Sequence, residues 1–108
     1  MIDWAQVKEL QGDMGDSFDE IVEVFLLEVA EGIARLDTGS GTGSMAADLH
    51  FLRGAALNLG FVDFARLCAQ GEEQAIAGKG NSVDLDAVRA SYHASRREFV
   101  AGLTRRAA

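Results

Sequence analysis

Apolar residues recur along this chain at intervals of three and four rather than two, which predicts helices from end to end. The clearest case is GDSFDEIVEVFLLEVAEGIARLDTG, where Phe18, Ile21, Val22, Phe25, Val29, Ile33 and Leu36 share one face behind Asp16 or Ser17 as cap. Leu26, Leu27 and Ala30 widen that stripe beyond one packing seam and leave apolar surface for a neighbour or a partner. Before it, DWAQVKELQ reads as a short helix capped by Asp3 and ended at Gly12, with Trp4, Val7 and Leu10 needing something larger to pack on. Ser44 caps a third helix running to about Leu59, with Gly60 as its stop, and Asp63 caps a fourth running to about Ala77, ended by Gly78. The last runs from about Asp84 to Arg105, carries Leu85, Val88, Tyr92, Phe99 and Leu103 on one face, and closes with Arg105 and Arg106 at the negative end of its dipole.

The chain has no proline, and its turn-forming residues gather in a few places. Neither TGSGTGS (residues 38–44) nor GKGNS (residues 78–82) is followed by Gly-Lys-Ser/Thr or preceded by a strand, so both read as interhelix connections rather than phosphate loops. The expected architecture is all-α: an antiparallel up-down-up-down four-helix bundle, with the short N-terminal helix as a lid over one end. A length of 108 residues suits a single domain spanning residues 1–108. The net charge of −7 argues against a nucleic-acid partner. No leader and no apolar run long enough to span a bilayer stands in the chain, so a cytoplasmic location without membrane attachment is expected. The lone Cys68 forms no internal disulfide and reads as a small buried hydrophobe.

Chemistry enters with HFLRGAALNLG, which begins at His50. A core histidine would have bulky apolar residues one turn away, yet those positions hold Ala46, Ala47, Arg53 and Gly54. At about 100° per residue, Met45, Leu49, Leu52, Ala56 and Leu59 fall on one side, while His50, Arg53, Gly54 and Leu57 fall on the other. His50 is therefore expected to face outward. A glycine inside a helix costs about 1 kcal/mol relative to alanine, and clearance beside His50 for an approaching body is a reason for Gly54. Arg53 supplies a cation suited to gripping phosphoryl oxygens. A neutral imidazole keeps one ring nitrogen free to act as a nucleophile. His93, in SYHASRREF, lacks the glycine four residues on and reads as solvated.

His50, Arg53, Gly54 and Gly60 match the motif H-x-x-K-G-x-x-x-x-x-G, and here the sequence resembles the histidine-containing phosphotransfer (HPt) domains of two-component phosphorelays. The likeness extends through FLLEVAEGIARL before the motif and FARLCAQGEEQA after it. It implies a bundle whose histidine, His50, accepts a phosphoryl group from a receiver-domain aspartyl phosphate, or from a kinase, and passes it to a response-regulator aspartate. In that family a polar residue on the following helix often holds the imidazole, and Glu72 stands at the similar position, with Glu73 as its rival. If Glu72 accepts from Nδ1–H, Nε2 is the nucleophile. The resemblance makes Arg53 the stabiliser of the phosphoryl group, makes Ala46, Ala47, Gly54 and Leu57 the surface on which a receiver docks, and leaves Gly60 a structural role. It implies a monomeric phosphocarrier, not an enzyme, whose partners are receiver domains of response regulators and of a hybrid histidine kinase. No nucleotide or metal site of its own is expected, and Mg²⁺ belongs to the partner receiver. The sequence departs from the family at Arg53, where lysine is usual; the charge is kept and the shape changes.

Two other readings fit the same residues. One is a helical adaptor that docks receivers without transfer. The other is the dimerisation and phosphoacceptor part of a histidine kinase, which calls for an ATP-binding domain downstream; the complete set of helices favours a free-standing HPt protein over it.

Overall fold

The computed structural model describes residues 1–38 and 44–107. Five α-helices follow one another: α1 (Trp4–Met14), α2 (Phe18–Thr38), α3 (Met45–Asn58), α4 (Val62–Ile76) and α5 (Leu85–Ala107). Two 3₁₀ turns, Gly15–Ser17 and Gly80–Ser82, lie between them. No β-strand forms among the described residues; the one β-like contact is an isolated antiparallel bridge between Ile2 and Phe61. No helix is long and apolar enough to cross a membrane among the described residues. The glycine-rich connection read between the second and third helices falls largely on residues 39–43, outside the described residues.

The helices form where the apolar spacing places them, and the local chemistry at their ends explains the differences. Asp3 caps α1 by accepting from the Gln6 amide, but α1 runs on past Gly12 to Met14. The chain breaks instead at Gly15, whose φ of +54° suits glycine. The Gly15–Ser17 turn then leads straight into α2, the Phe18 amide bonding the Gly15 carbonyl. Ser44 caps α3 through the Ala47 amide. Asp63 does not cap α4: the cap position is Phe61, which has no side-chain acceptor, and Asp63 sits in the first turn with its carboxylate 2.6 Å from the Met1 ammonium. Gly78, with φ +79°, follows the end of α4, and Asp84 caps α5 through the Ala87 amide.

The core draws on every helix. Val22, Val29 and Ile33 of α2 join Leu49, Leu52 and Ala56 of α3, Phe64 and Cys68 of α4, and Val88, Tyr92 and Phe99 of α5. Helices α3 and α4 make the most extensive pair. The turn between them is tied down from the N-terminus. Gly60 adopts φ +73°, and a Cβ there would meet the Asp3 carbonyl oxygen at 2.6 Å. The Asp3 amide donates to the Gly60 carbonyl at 2.8 Å. Helix α1 seats itself by its Trp4 ring, which stacks on Phe99 at a centroid distance of 6.0 Å and lies 4.1 Å from the Arg106 guanidinium. The wide stripe of α2 is only partly covered: Leu26 packs against the core, whereas Leu27 stays 60 % exposed.

Candidate functional site

The buried side of α3 is Leu49, Leu52, Ala56 and Leu59, all without solvent exposure, with Met45 packed at their margin. Burying that side turns His50 outward, its side chain 63 % exposed, together with Gly54 and Leu57. A Cβ on Gly54 would meet nothing within 4 Å, so the space beside the imidazole is open. Ala46 lies half-buried and Ala47 exposed one turn earlier. Phe51, next to His50, is also exposed.

Helix α4 comes close to α3 at Gly71. A Cβ there would lie 3.0 Å from Cδ1 of Leu49 and 3.2 Å from Cγ1 of Val83, tighter than ordinary van der Waals contact. Leu49 precedes His50 and Gly71 precedes Glu72, so this close approach sits directly beneath the pair above it. Glu72 Oε2 lies 2.9 Å from His50 Nδ1, a separation of 22 residues closed by the α3–α4 packing. Glu73, the rival carboxylate, is exposed and makes no such contact; its carbonyl accepts from the Ala77 amide at the end of α4. Gly71 is the residue that sequence reasoning missed, and its signal was present: a glycine in mid-helix carries a cost that close packing can offset.

Arg53 completes the cluster from within α3. Its Nη1 lies 3.3 Å from Glu72 Oε1, and its Nη2 lies 3.0 Å from the same His50 Nδ1 that Glu72 approaches. Glu72 is the most enclosed of the three, its side chain 15 % exposed against 36 % for Arg53. Nδ1 is thus flanked by a guanidinium and a carboxylate, while Nε2 meets no hydrogen-bond partner among the described residues. With its proton on Nδ1 donated to Glu72, the ring keeps a lone pair on the outward nitrogen. His93 has no comparable setting; it is exposed on α5, its ring 5.2 Å from that of Tyr92.

The helical bundle thus presents an outward imidazole on an open surface, braced by a carboxylate from the next helix and a guanidinium from its own. The Hpt domain profile matches residues 20–98, which reach from the start of α2 through most of α5 and include His50, Arg53 and Glu72; the chain belongs to the Hpt domain family. Hpt domains are phosphocarriers rather than true enzymes, act by histidine phosphotransfer in two-component signalling, and interact with response-regulator receiver domains. No curated protein and no solved structure gives a significant match.

Proposed function

We propose that this chain is a phosphorelay intermediate in which His50 accepts a phosphoryl group on Nε2 from a receiver-domain aspartyl phosphate and delivers it to the aspartate of a response regulator. The observation that carries this reading is the pairing of a 63 % exposed imidazole with a carboxylate 2.9 Å from its Nδ1, which leaves the outward nitrogen as the nucleophile. Glu72 orients the ring, and Arg53, on the same outward surface, holds phosphoryl oxygens. Ala46, Ala47, Gly54 and Leu57 form the small-residue and apolar surface on which a receiver rests, and Gly60 keeps the α3–α4 turn in place. The four longer helices form an up-down-up-down antiparallel bundle and the protein works as a cytoplasmic monomer. The receivers belong to response regulators and to a hybrid histidine kinase, and they bring the Mg²⁺ that phosphoryl transfer from aspartate uses.

Mixing the purified protein with a panel of phosphorylated receiver domains and following the label tests the reading. Label is expected on the wild type and none on a folded His50→Gln variant. Full labelling of His50→Gln removes His50 from the role, and stable docking without any label on the wild type establishes an adaptor instead.

A further inference from the structure

His50 Nδ1 has one in-plane position, which holds either a lone pair or a proton. Two groups aim at it. Arg53 Nη2, at 3.0 Å, only donates; the Glu72 carboxylate, at 2.9 Å, only accepts. A neutral ring satisfies one of them at a time. We propose that Arg53 gates the nucleophile by competing with Glu72 for Nδ1 of His50.

When Nδ1 accepts from Arg53, the ring proton is on Nε2 and the outward nitrogen has no lone pair. When Arg53 withdraws, the exposed ring gives its Nε2 proton to solvent and takes one up on Nδ1, where it is donated to Glu72, and the lone pair is left on Nε2. An arriving phosphoryl group supplies oxygens that draw the guanidinium away, so the donor that brings the phosphorus also switches on the nitrogen that attacks it. The Nε2 lone pair forms the N–P bond, the P–O bond to the receiver aspartate breaks, and its electron pair stays on that carboxylate. The Nδ1 proton remains between the ring and Glu72. The gate fits arginine better than lysine. Nη2 and Nη1 reach Nδ1 and Glu72 Oε1 together, at 3.0 and 3.3 Å, a span that a planar fork holds and a single ammonium does not. This inference rests on the phosphorelay reading and makes Arg53 a positioning residue as well as a phosphate holder.

Long-range proton–nitrogen spectra of the full chain carrying ¹⁵N-histidine, recorded at about pH 8 where an unperturbed imidazole is neutral, report the ratio of Nδ1–H to Nε2–H. A His93→Gln background leaves the His50 signals alone in the spectrum. Arg53→Ala is expected to raise the ratio roughly tenfold, and Glu72→Ala to lower it by a similar factor, with Arg53→Lys between Arg53→Ala and the wild type. Opposite movement is the signature of competition; loss of structure would not produce it. An unchanged ratio in Arg53→Ala, or movement of both variants in one direction, overturns the gate. Receiver labelling of the His93→Gln parent, with Arg53 and Glu72 intact, separates the two failures. Label on His50 with an unmoved ratio sinks the gate alone, whereas absence of label sinks the phosphorelay reading and the gate with it.

Discussion

At the scale of single residues, the roles proposed for Arg53 and Glu72 fall on different stages of one reaction. A phosphoryl group on His50 would carry close to two negative charges near neutral pH, so a guanidinium beside it favours the product more than the uncharged ring. Arg53→Ala should therefore lower the equilibrium fraction of phosphohistidine with one receiver by roughly three- to tenfold at low salt, less at high salt, and Arg53→Lys should restore most of it. Glu72→Ala should mainly slow forward transfer, because what it removes is the acceptor for Nδ1–H. Quantifying phosphohistidine at equilibrium and its rate of appearance, at two salt concentrations, distinguishes them; an unmoved equilibrium in Arg53→Ala at low salt would end its phosphate-holding role. Gly54 stands apart from both. Since a Cβ there meets open space, Gly54→Ala should stabilise the fold by about 1 kcal/mol in urea unfolding through helix propensity alone. Gly54→Glu should fold equally well and transfer more slowly, by blocking docking and adding negative charge near the phosphoryl group; an unchanged rate would remove Gly54 from the docking surface. His50, Arg53, Gly54 and Glu72 were all legible in the chain, the first three from helical spacing. Glu72 came only from family resemblance, which left Glu73 open, because neither spacing nor composition tells which carboxylate of the next helix faces the ring.

At the scale of elements, the close approach of α4 to α3 connects packing to chemistry. Gly71 has two neighbours, Leu49 and Val83, already at the limit a Cβ tolerates. Gly71→Ala asks them to give by a few tenths of an ångström, whereas Gly71→Leu cannot be accommodated without moving α4 outward. Gly71→Leu should cost about 1–3 kcal/mol in urea unfolding and slow transfer to His50 as Glu72 is carried away from Nδ1. Normal transfer kinetics in the destabilised variant would show that the Glu72 contact does not depend on this packing. Helix interiors were legible from periodicity, but two boundaries were not. Gly12 is a helix breaker by composition, yet a side chain there would touch nothing within 4 Å. Its cost of about 1 kcal/mol is one a helix can carry, and the break falls at Gly15, where φ +54° suits glycine. Asp63 has the right residue type for a cap, but the Gly60–Phe61 turn puts the cap at Phe61, two positions earlier, so the Asp63 carboxylate pairs with the Met1 ammonium instead. Caps are worth only about 1 kcal/mol, and tertiary contacts readily override them.

At the scale of the whole molecule, α3 is the central element: one side closes the core and the other carries the candidate site. Cys68 reports on that core. Burial among the helices pushes its thiol up to about 12, and the side chain has no solvent exposure. Because the thiolate is the reactive form, alkylation at about pH 8 should be slow in the folded protein and should proceed at the rate of opening, accelerating in urea in step with loss of helicity. Rapid modification without unfolding would contradict the packing of α4. The amino-acid sequence by itself determined the helical character, the outward face of α3 and the residues of the motif, because helix formation and facing depend on spacings of three and four residues that any short window contains. Only the tertiary structure decided that Glu72 rather than Glu73 reaches the ring, that Arg53 reaches the same carboxylate, and that Trp4 lies on Phe99 with Gly102 leaving room for its ring. Each of those contacts requires the register of α3 with α4 or the seating of α1 on α5. Register is set by packed volume at points such as Leu49 against Gly71, between residues far apart along the chain, where local periodicity carries no information.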